Sequence, residues 1–177
     1  MNRIETPRLV LDRFRETDRD DYFTNVTHDR AVLETFICRY TETPEELDLT
    51  PYVRNEAVFA VRLRETGRLI GIVLYFGEEG DSCEIGYAVG RAHQGNGYAT
   101  EAARALVGRL FEEKGFAAVR ASFFEGNEAS RRVMEKCGMK FERVAKKELT
   151  YLGRERDLVY YSVSAADAAG DAKGNPN

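Results

Sequence analysis

The chain carries only three cysteines in 177 residues, Cys38, Cys83 and Cys137. Their odd number and wide separation provide neither a disulfide framework nor paired metal ligands, which suits a reducing, cytoplasmic setting. Each reads as a small core residue. Histidine is scarcer still, with only His28 and His93, so neither zinc nor another metal is expected. Long apolar runs are missing too. The longest, Leu69 to Phe76, falls far short of the roughly 20 residues that cross a bilayer. The opening Met1-Asn2-Arg3-Ile4-Glu5-Thr6 has no apolar segment after its basic residue, so no signal peptide and no membrane association are expected. An excess of positive charge is also lacking. Lys and Arg total 26 against 30 Asp and Glu, a formal net charge of −4, which argues against nucleic acid as the main partner.

What is present suits a water-soluble globule. Hydrophobic residues make up 43% and charged residues 32%, and the length fits one domain. That domain is expected over 1–163. Residues 164–177 are small and polar, with nothing to bury, and read as a disordered tail.

Arg8 to Phe14 alternates as a first strand. Residues 18–36 read as one or two short helices after the cap at Thr17-Asp18. Thr43-Pro44-Glu45-Glu46 has the order of a helix start, which Pro51 should disturb or end. From Ala57 the texture changes. Strands at 58–64, 68–76 and 83–89 are separated by short glycine-bearing turns, which makes them antiparallel neighbours. Ala99, Ala102, Ala103, Leu106, Val107, Leu110 and Phe111 then recur on one helical face, and Lys114-Gly115 ends the helix. A strand at 117–124 follows. Asn127 caps a second helix that stops at Gly138, and strands near 140–147 and 156–163 complete a mixed α/β order.

The chemistry concentrates where the strand at 83–89 turns into the first long helix. The first backbone N–H groups of a helix lack intrahelical partners, and the helix dipole makes that end partly positive. Gly95 and Gly97 allow an anion close to those amides. The stretch is a diphosphate cradle in design. A nucleotide-triphosphate loop would need Gly-Lys-Ser/Thr, and no lysine is present here. A dinucleotide fingerprint would want glycine where Thr100 stands.

Gln94-x-x-Gly97-x-Ala99 resembles the coenzyme A signature of the GNAT superfamily of N-acetyltransferases. Glu5-Thr6-Pro7-Arg8-Leu9-Val10-Leu11, Glu84-Ile85-Gly86-Tyr87 and the run from Asn127 to Met139 resemble its RimJ/RimL-like branch, the ribosomal-protein N-terminal acetyltransferases. The likeness covers roughly residues 5 to 163. It implies a GNAT fold of the α+β class: a twisted, mostly antiparallel sheet of about seven strands flanked by helices, splayed between the strands at 83–89 and 117–124. It further implies acetyl-CoA as co-substrate. Gln94, Gly95, Asn96, Gly97, Tyr98, Ala99 and Thr100 would hold the diphosphate, and Val89 and Asn127 the pantetheine arm. A homodimer is a state that relatives of that branch often adopt.

Acetyl transfer to an amine needs a neutral nucleophile, a stabilised oxyanion and a proton for the leaving thiolate. Family members usually transfer directly within a ternary complex. Glu84, one residue into a central strand, is the candidate base, because an unpaired carboxylate there would be costly. The alternative is a strand-end charge that faces solvent or pairs with arginine. Many family members protonate the thiolate with a tyrosine where this chain has Met134, which leaves Ser130 as the hydroxyl on that helix. Ser130 also suits a helix start, as Asn127 suits a cap. The resemblance assigns the oxyanion to a backbone N–H of the 83–89 strand, that of Tyr87 being one candidate. The acceptor is a primary amine, either a peptide N-terminus or a small molecule such as an antibiotic or polyamine. A non-catalytic acetyl-CoA sensor and a dinucleotide-dependent enzyme are the competing readings.

Overall fold

The computed structural model describes residues 1–171, with side chains through 168. Its described residues fall into two compact units: Met1–Tyr75 with Gly86–Leu106, and Phe76–Ile85 with the described residues from Val107 onward.

In the first unit β1 (Arg3–Glu5), β2 (Leu9–Asp12), β3 (Val58–Leu63) and the start of β4 (Leu69–Glu79) are antiparallel neighbours. Ile4 lies opposite Leu11, Leu11 opposite Val61, and Ala60 opposite Ile72. The β3–β4 turn closes through Gly67, whose φ of 72° is a left-handed value that glycine adopts without strain. The end of β5 (Ser82–Val89) also belongs here, and Gly90 N–H donates to the Ile70 carbonyl at 2.9 Å. At Gly71 a Cβ would stand 2.2 Å from the Ala88 carbonyl oxygen. Only glycine lets β4 pass so near the end of β5, just before the glycine-bearing turn.

Between β2 and β3 the chain forms short pieces. A 3₁₀ turn at Glu16–Asp18 leads into α1 (Arg19–Tyr22), a π turn at Phe23–Thr27 and α2 (Arg30–Leu33). The expected one or two helices over 18–36 are therefore broken up. From Pro44 only a 3₁₀ turn forms, Pro44–Glu46, and Pro51 opens α3 (Thr50–Arg54) rather than ending a helix. Its locked φ and missing N–H are tolerated in a first turn, where that N–H would have no partner. These pieces are held by burial. Phe14, Tyr22, Val26, Leu47 and Leu49 pack with Val58 and Ile72 in one core, and the Phe14 and Tyr22 rings meet edge-on at 5.0 Å.

The second unit holds β6 (Ala118–Phe124), β7 (Lys140–Tyr151) and β8 (Arg154–Ser164). β5 and β6 run parallel, in register from Ser82↔Ala118 to Ile85↔Ala121. β6 pairs antiparallel with β8, and β8 with β7. The strand order is β1-β2-β3-β4-β5-β6-β8-β7. The class is the mixed, mostly antiparallel sheet expected, with eight strands rather than about seven. The additional strand is β1, three residues long and too short to show alternation.

α4 (Tyr98–Arg109) follows the glycine-bearing turn and buries Ala102, Ala103, Leu106 and Val107. A π turn at Leu110–Lys114 continues it to Gly115, whose φ of 71° supplies the left-handed stop. α5 (Glu128–Lys136) follows β6. The polar tail read from residue 164 is corrected over its first part, since Ala165–Asp171 forms a helix, α6. Ser164 starts it by accepting the Asp167 N–H at 3.1 Å and donating to Asp167 Oδ2 at 2.9 Å. The rest of that expectation, 172–177, lies outside the described residues.

Candidate functional site

In the first unit, β5 ends at Val89 and a 3₁₀ turn at Arg91–His93 carries the chain to Gln94. Gly95 and Gly97 both lie in the left-handed region, at φ 79° and 80°. A Cβ on Gly95 would meet nothing within 4 Å, so glycine there serves backbone conformation and close approach rather than packing. The turn is tied by its own side chains. Gln94 Nε2 donates to the Val89 carbonyl at 3.0 Å, and Asn96 Nδ2 donates to the His93 and Gln94 carbonyls at 3.2 and 3.1 Å. Carbonyl oxygens have the wrong sign for an anion, and these bonds occupy them.

α4 begins at Tyr98 and runs for 12 residues, so its positive end stands directly after the turn. Residues 94–97 are exposed, while Tyr98 to Thr100 are half-buried. The residues read as a diphosphate cradle, with Val89, therefore form one continuous structure. Two left-handed glycines at the positive end of a long helix fit a diphosphate.

The second unit presents a separate cluster. Glu84, half-buried in β5, accepts a hydrogen bond from Ser122 Oγ at 2.6 Å. The bond is short, as expected when the acceptor is charged. Ser122 lies opposite Tyr160 of β8, and the Arg143 guanidinium stands 3.9 Å above the Tyr160 ring. Burial, followed by the charges of Glu84 and Glu148, pushes the Tyr160 hydroxyl above its ordinary pKa. Against the two alternatives for Glu84, facing solvent or pairing with arginine, the half-buried side chain retains some exposure and accepts its hydrogen bond from Ser122. Ser122 escaped the sequence reading: a lone serine in a strand, 38 residues from its partner, leaves no local signal.

Asn127 and Ser130 meet as well. Asn127 Oδ1 accepts the Ser130 N–H at 3.2 Å, and Asn127 Nδ2 donates to Ser130 Oγ at 3.1 Å. Asn127 is thus a working helix cap, and the same contacts orient the serine hydroxyl. Met134 is 2% exposed and part of the core. Cys83 is also 2% exposed; burial, aided by the Glu78 charge, raises its thiol to a pKa of about 11. At neutral pH it is a thiol rather than a nucleophilic thiolate. Among the described residues, no group of three or more His, Cys, Asp or Glu is placed to hold a metal. No described helix is long and apolar enough to cross a membrane.

Sequence reasoning also missed Arg8 and Glu101. Arg8 Nε donates to Glu101 Oε2 at 2.7 Å, Arg8 Nη1 donates to the Asn96 carbonyl at 2.9 Å, and the guanidinium stands 4.7 Å from the Tyr98 ring centre. The two residues are 93 positions apart.

Comparison with known proteins identifies the family. The sequence profile of the family described as "Acetyltransferase (GNAT) domain" matches residues 8–140. The uncharacterized N-acetyltransferase YnaD of Bacillus subtilis is 36% identical over 168 residues, covering 90% of this chain and 95% of that protein. The uncharacterized protein YkkB of the same organism is 41% identical over 102 residues, and that match covers 53% of this chain and 59% of YkkB. A solved GNAT-family acetyltransferase from Bacillus anthracis superposes with a TM-score of 0.81 at 29% identity, covering 92% of this chain and 98% of the other. Two further structures share the fold at lower identity. A ribosomal-protein-S5-alanine acetyltransferase from Vibrio fischeri gives a TM-score of 0.76 at 20% identity, covering 93% and 97% of the two chains. A spermidine N-acetyltransferase from Vibrio cholerae, solved with CoA and spermine, gives 0.78 at 18%, covering 93% and 99%.

Proposed function

We infer the reaction from one premise: this chain belongs to the GNAT acetyltransferase family and is an N-acetyltransferase. We propose that it transfers an acetyl group from acetyl-CoA to a primary amine by direct attack in a ternary complex. The observation that carries this reading is the pair of left-handed glycines, Gly95 and Gly97, set in a tied turn at the start of α4. Gln94 to Thr100 hold the diphosphate with backbone N–H groups, and Val89 and Asn127 hold the pantetheine arm. When bound, acetyl-CoA supplies a thioester activated toward an amine. The amine nitrogen forms a bond to the acetyl carbon, the carbon–sulfur bond breaks, and the electron pair leaves with sulfur. Glu84 takes the proton released by the amine, directly or through water, and the Ser122 bond keeps its carboxylate in one orientation. Ser130, oriented by Asn127, passes a proton to the leaving sulfur and regains one from water, so its hydroxyl is restored.

A protein N-terminal α-amine is the acceptor that this machinery favours. An α-amine has a pKa of about 7.7–8.0 and a lysine side chain about 10.4, so near neutral pH the lysine costs roughly 3.5 kcal/mol more to neutralise. A single candidate base, Glu84, suits the easier acceptor. Ribosomal-protein and spermidine acetyltransferases both occur on this fold, so peptides and polyamines are the two panels to test.

Thiol release from acetyl-CoA, measured against peptides with free N-termini, polyamines and aminoglycosides, tests the proposal. Release that requires an amine and is fastest with peptides is expected. Faster release with polyamines would move the acceptor to small molecules. Binding of acetyl-CoA without release under any amine would contradict catalysis and leave a sensor.

A further inference from the structure

We propose that Arg8 is a positioning residue for cofactor binding, aiming the Gly97 N–H at the diphosphate through the Asn96 carbonyl. The inference rests on the reading that residues 94–100 grip a diphosphate.

The argument begins with the peptide group. It is planar and trans, so the carbonyl of one residue and the N–H of the next point in opposite directions. Whatever holds the Asn96 oxygen therefore fixes the direction of the Gly97 N–H. Arg8 Nη1 holds that oxygen at 2.9 Å. The same logic applies one peptide earlier, where Asn96 Nδ2 holds the Gln94 oxygen and so directs the Gly95 N–H. The Gly95 peptide is thus set from within the turn, while the Gly97 peptide is set from β2's approach, nearly ninety residues away in sequence. Left-handed glycines are the positions most in need of such restraint, because nothing in their own covalent structure confines them.

Arg8 is fixed in turn. Glu101, in the first turn of α4, accepts Thr6 Oγ1 at 2.6 Å and the Arg8 N–H at 2.9 Å on Oε1, and Arg8 Nε at 2.7 Å on Oε2. Its side chain is 15% exposed against 49% for Arg8. Burial acts to raise the Glu101 pKa, but the bonds from Thr6 and Arg8 outweigh it and keep the carboxyl below its ordinary value. The guanidinium fork serves Glu101 with one nitrogen and the turn with another, and its Cζ lies over the Tyr98 ring. A lysine at this position has the charge without the fork.

Acetyl-CoA binding by calorimetry, steady-state kinetics and melting temperature are measured for wild type, Arg8→Met, Arg8→Lys and Glu101→Gln. Arg8→Met and Arg8→Lys should both weaken binding about tenfold, the loss expected of a charge-assisted hydrogen bond. The KM for acetyl-CoA should rise in step, with kcat at saturation nearly unchanged. Glu101→Gln should weaken binding less, and adding it to Arg8→Met should cost little more. Wild-type affinity in Arg8→Met overturns the inference. So does near wild-type affinity in Arg8→Lys with weak Arg8→Met, since that pattern means long-range charge rather than positioning. If Arg8→Met does not fold, Arg8→Lys and Glu101→Gln decide by the same criteria. Failure of wild type itself to bind acetyl-CoA overturns the cofactor reading, and this inference with it.

Discussion

Glu84→Gln is expected to lower kcat by about a hundredfold or more, the usual range for loss of a general base, while acetyl-CoA binds as it does to wild type. Glutamine keeps the shape of the side chain and still accepts the Ser122 hydrogen bond, so the 2.6 Å contact that orients Glu84 survives in altered form. What disappears is the capacity to take a proton from the attacking amine. Because the diphosphate is assigned to Gln94–Thr100 rather than to β5, cofactor affinity should not follow kcat. A variant with full kcat would remove Glu84 from the chemistry. A variant with weakened cofactor binding and normal kcat would make it a binding residue instead.

The largest effect on stability is expected at Arg62. Its guanidinium donates to Asp12 Oδ1 at 2.6 Å, and to Asp18 Oδ1 and Oδ2 at 2.6 and 2.7 Å. All three residues are buried, with 4–5% exposure. Burial opposes the guanidinium charge, but the bonds to Asp18 and Asp12 outweigh it and raise the Arg62 pKa above its ordinary value. Asp12 ends β2, Arg62 lies in β3 and Asp18 closes the 3₁₀ turn before α1, so the cluster ties the short helical pieces to the sheet. Arg62→Met leaves the buried Asp18 carboxylate without its guanidinium partner, while Asp12 keeps its ion pair with Arg15, and should cost roughly 3–5 kcal/mol in denaturant unfolding. Adding Asp18→Asn should recover part of the loss, because that uncompensated charge is then gone. A loss below about 1 kcal/mol for Arg62→Met, within the range of an exposed ion pair, would contradict this account.

The sequence revealed the parts whose signal is local. Strand-like stretches separated by short glycine-bearing turns marked β3 through β5, and the three-and-four spacing of Ala102, Ala103, Leu106 and Leu110 marked α4. Gly95 and Gly97 marked the turn, and Asn127 marked the start of α5. Residues 16–54 were the least readable. There, pieces of three to five residues carry too few turns to show a period, and tertiary burial of Tyr22, Val26 and Leu49 decides their conformation. Pro51 was ambiguous because one residue type both ends helices and begins them. The partners of the site residues were hidden for another reason. Ser122 with Glu84, and Arg8 with Glu101, meet only after the sheet has formed, and neither serine nor arginine announces a partner at that distance. Asp12 and Asp18 similarly gave no sign of converging on Arg62.

Backbone amide spectra recorded while acetyl-CoA is titrated test the central claim most directly. The largest shifts should fall on Gly95 and Gly97 through Thr100, and NAD should leave those resonances in place. Binding of acetyl-CoA that leaves those amides unmoved would contradict the account.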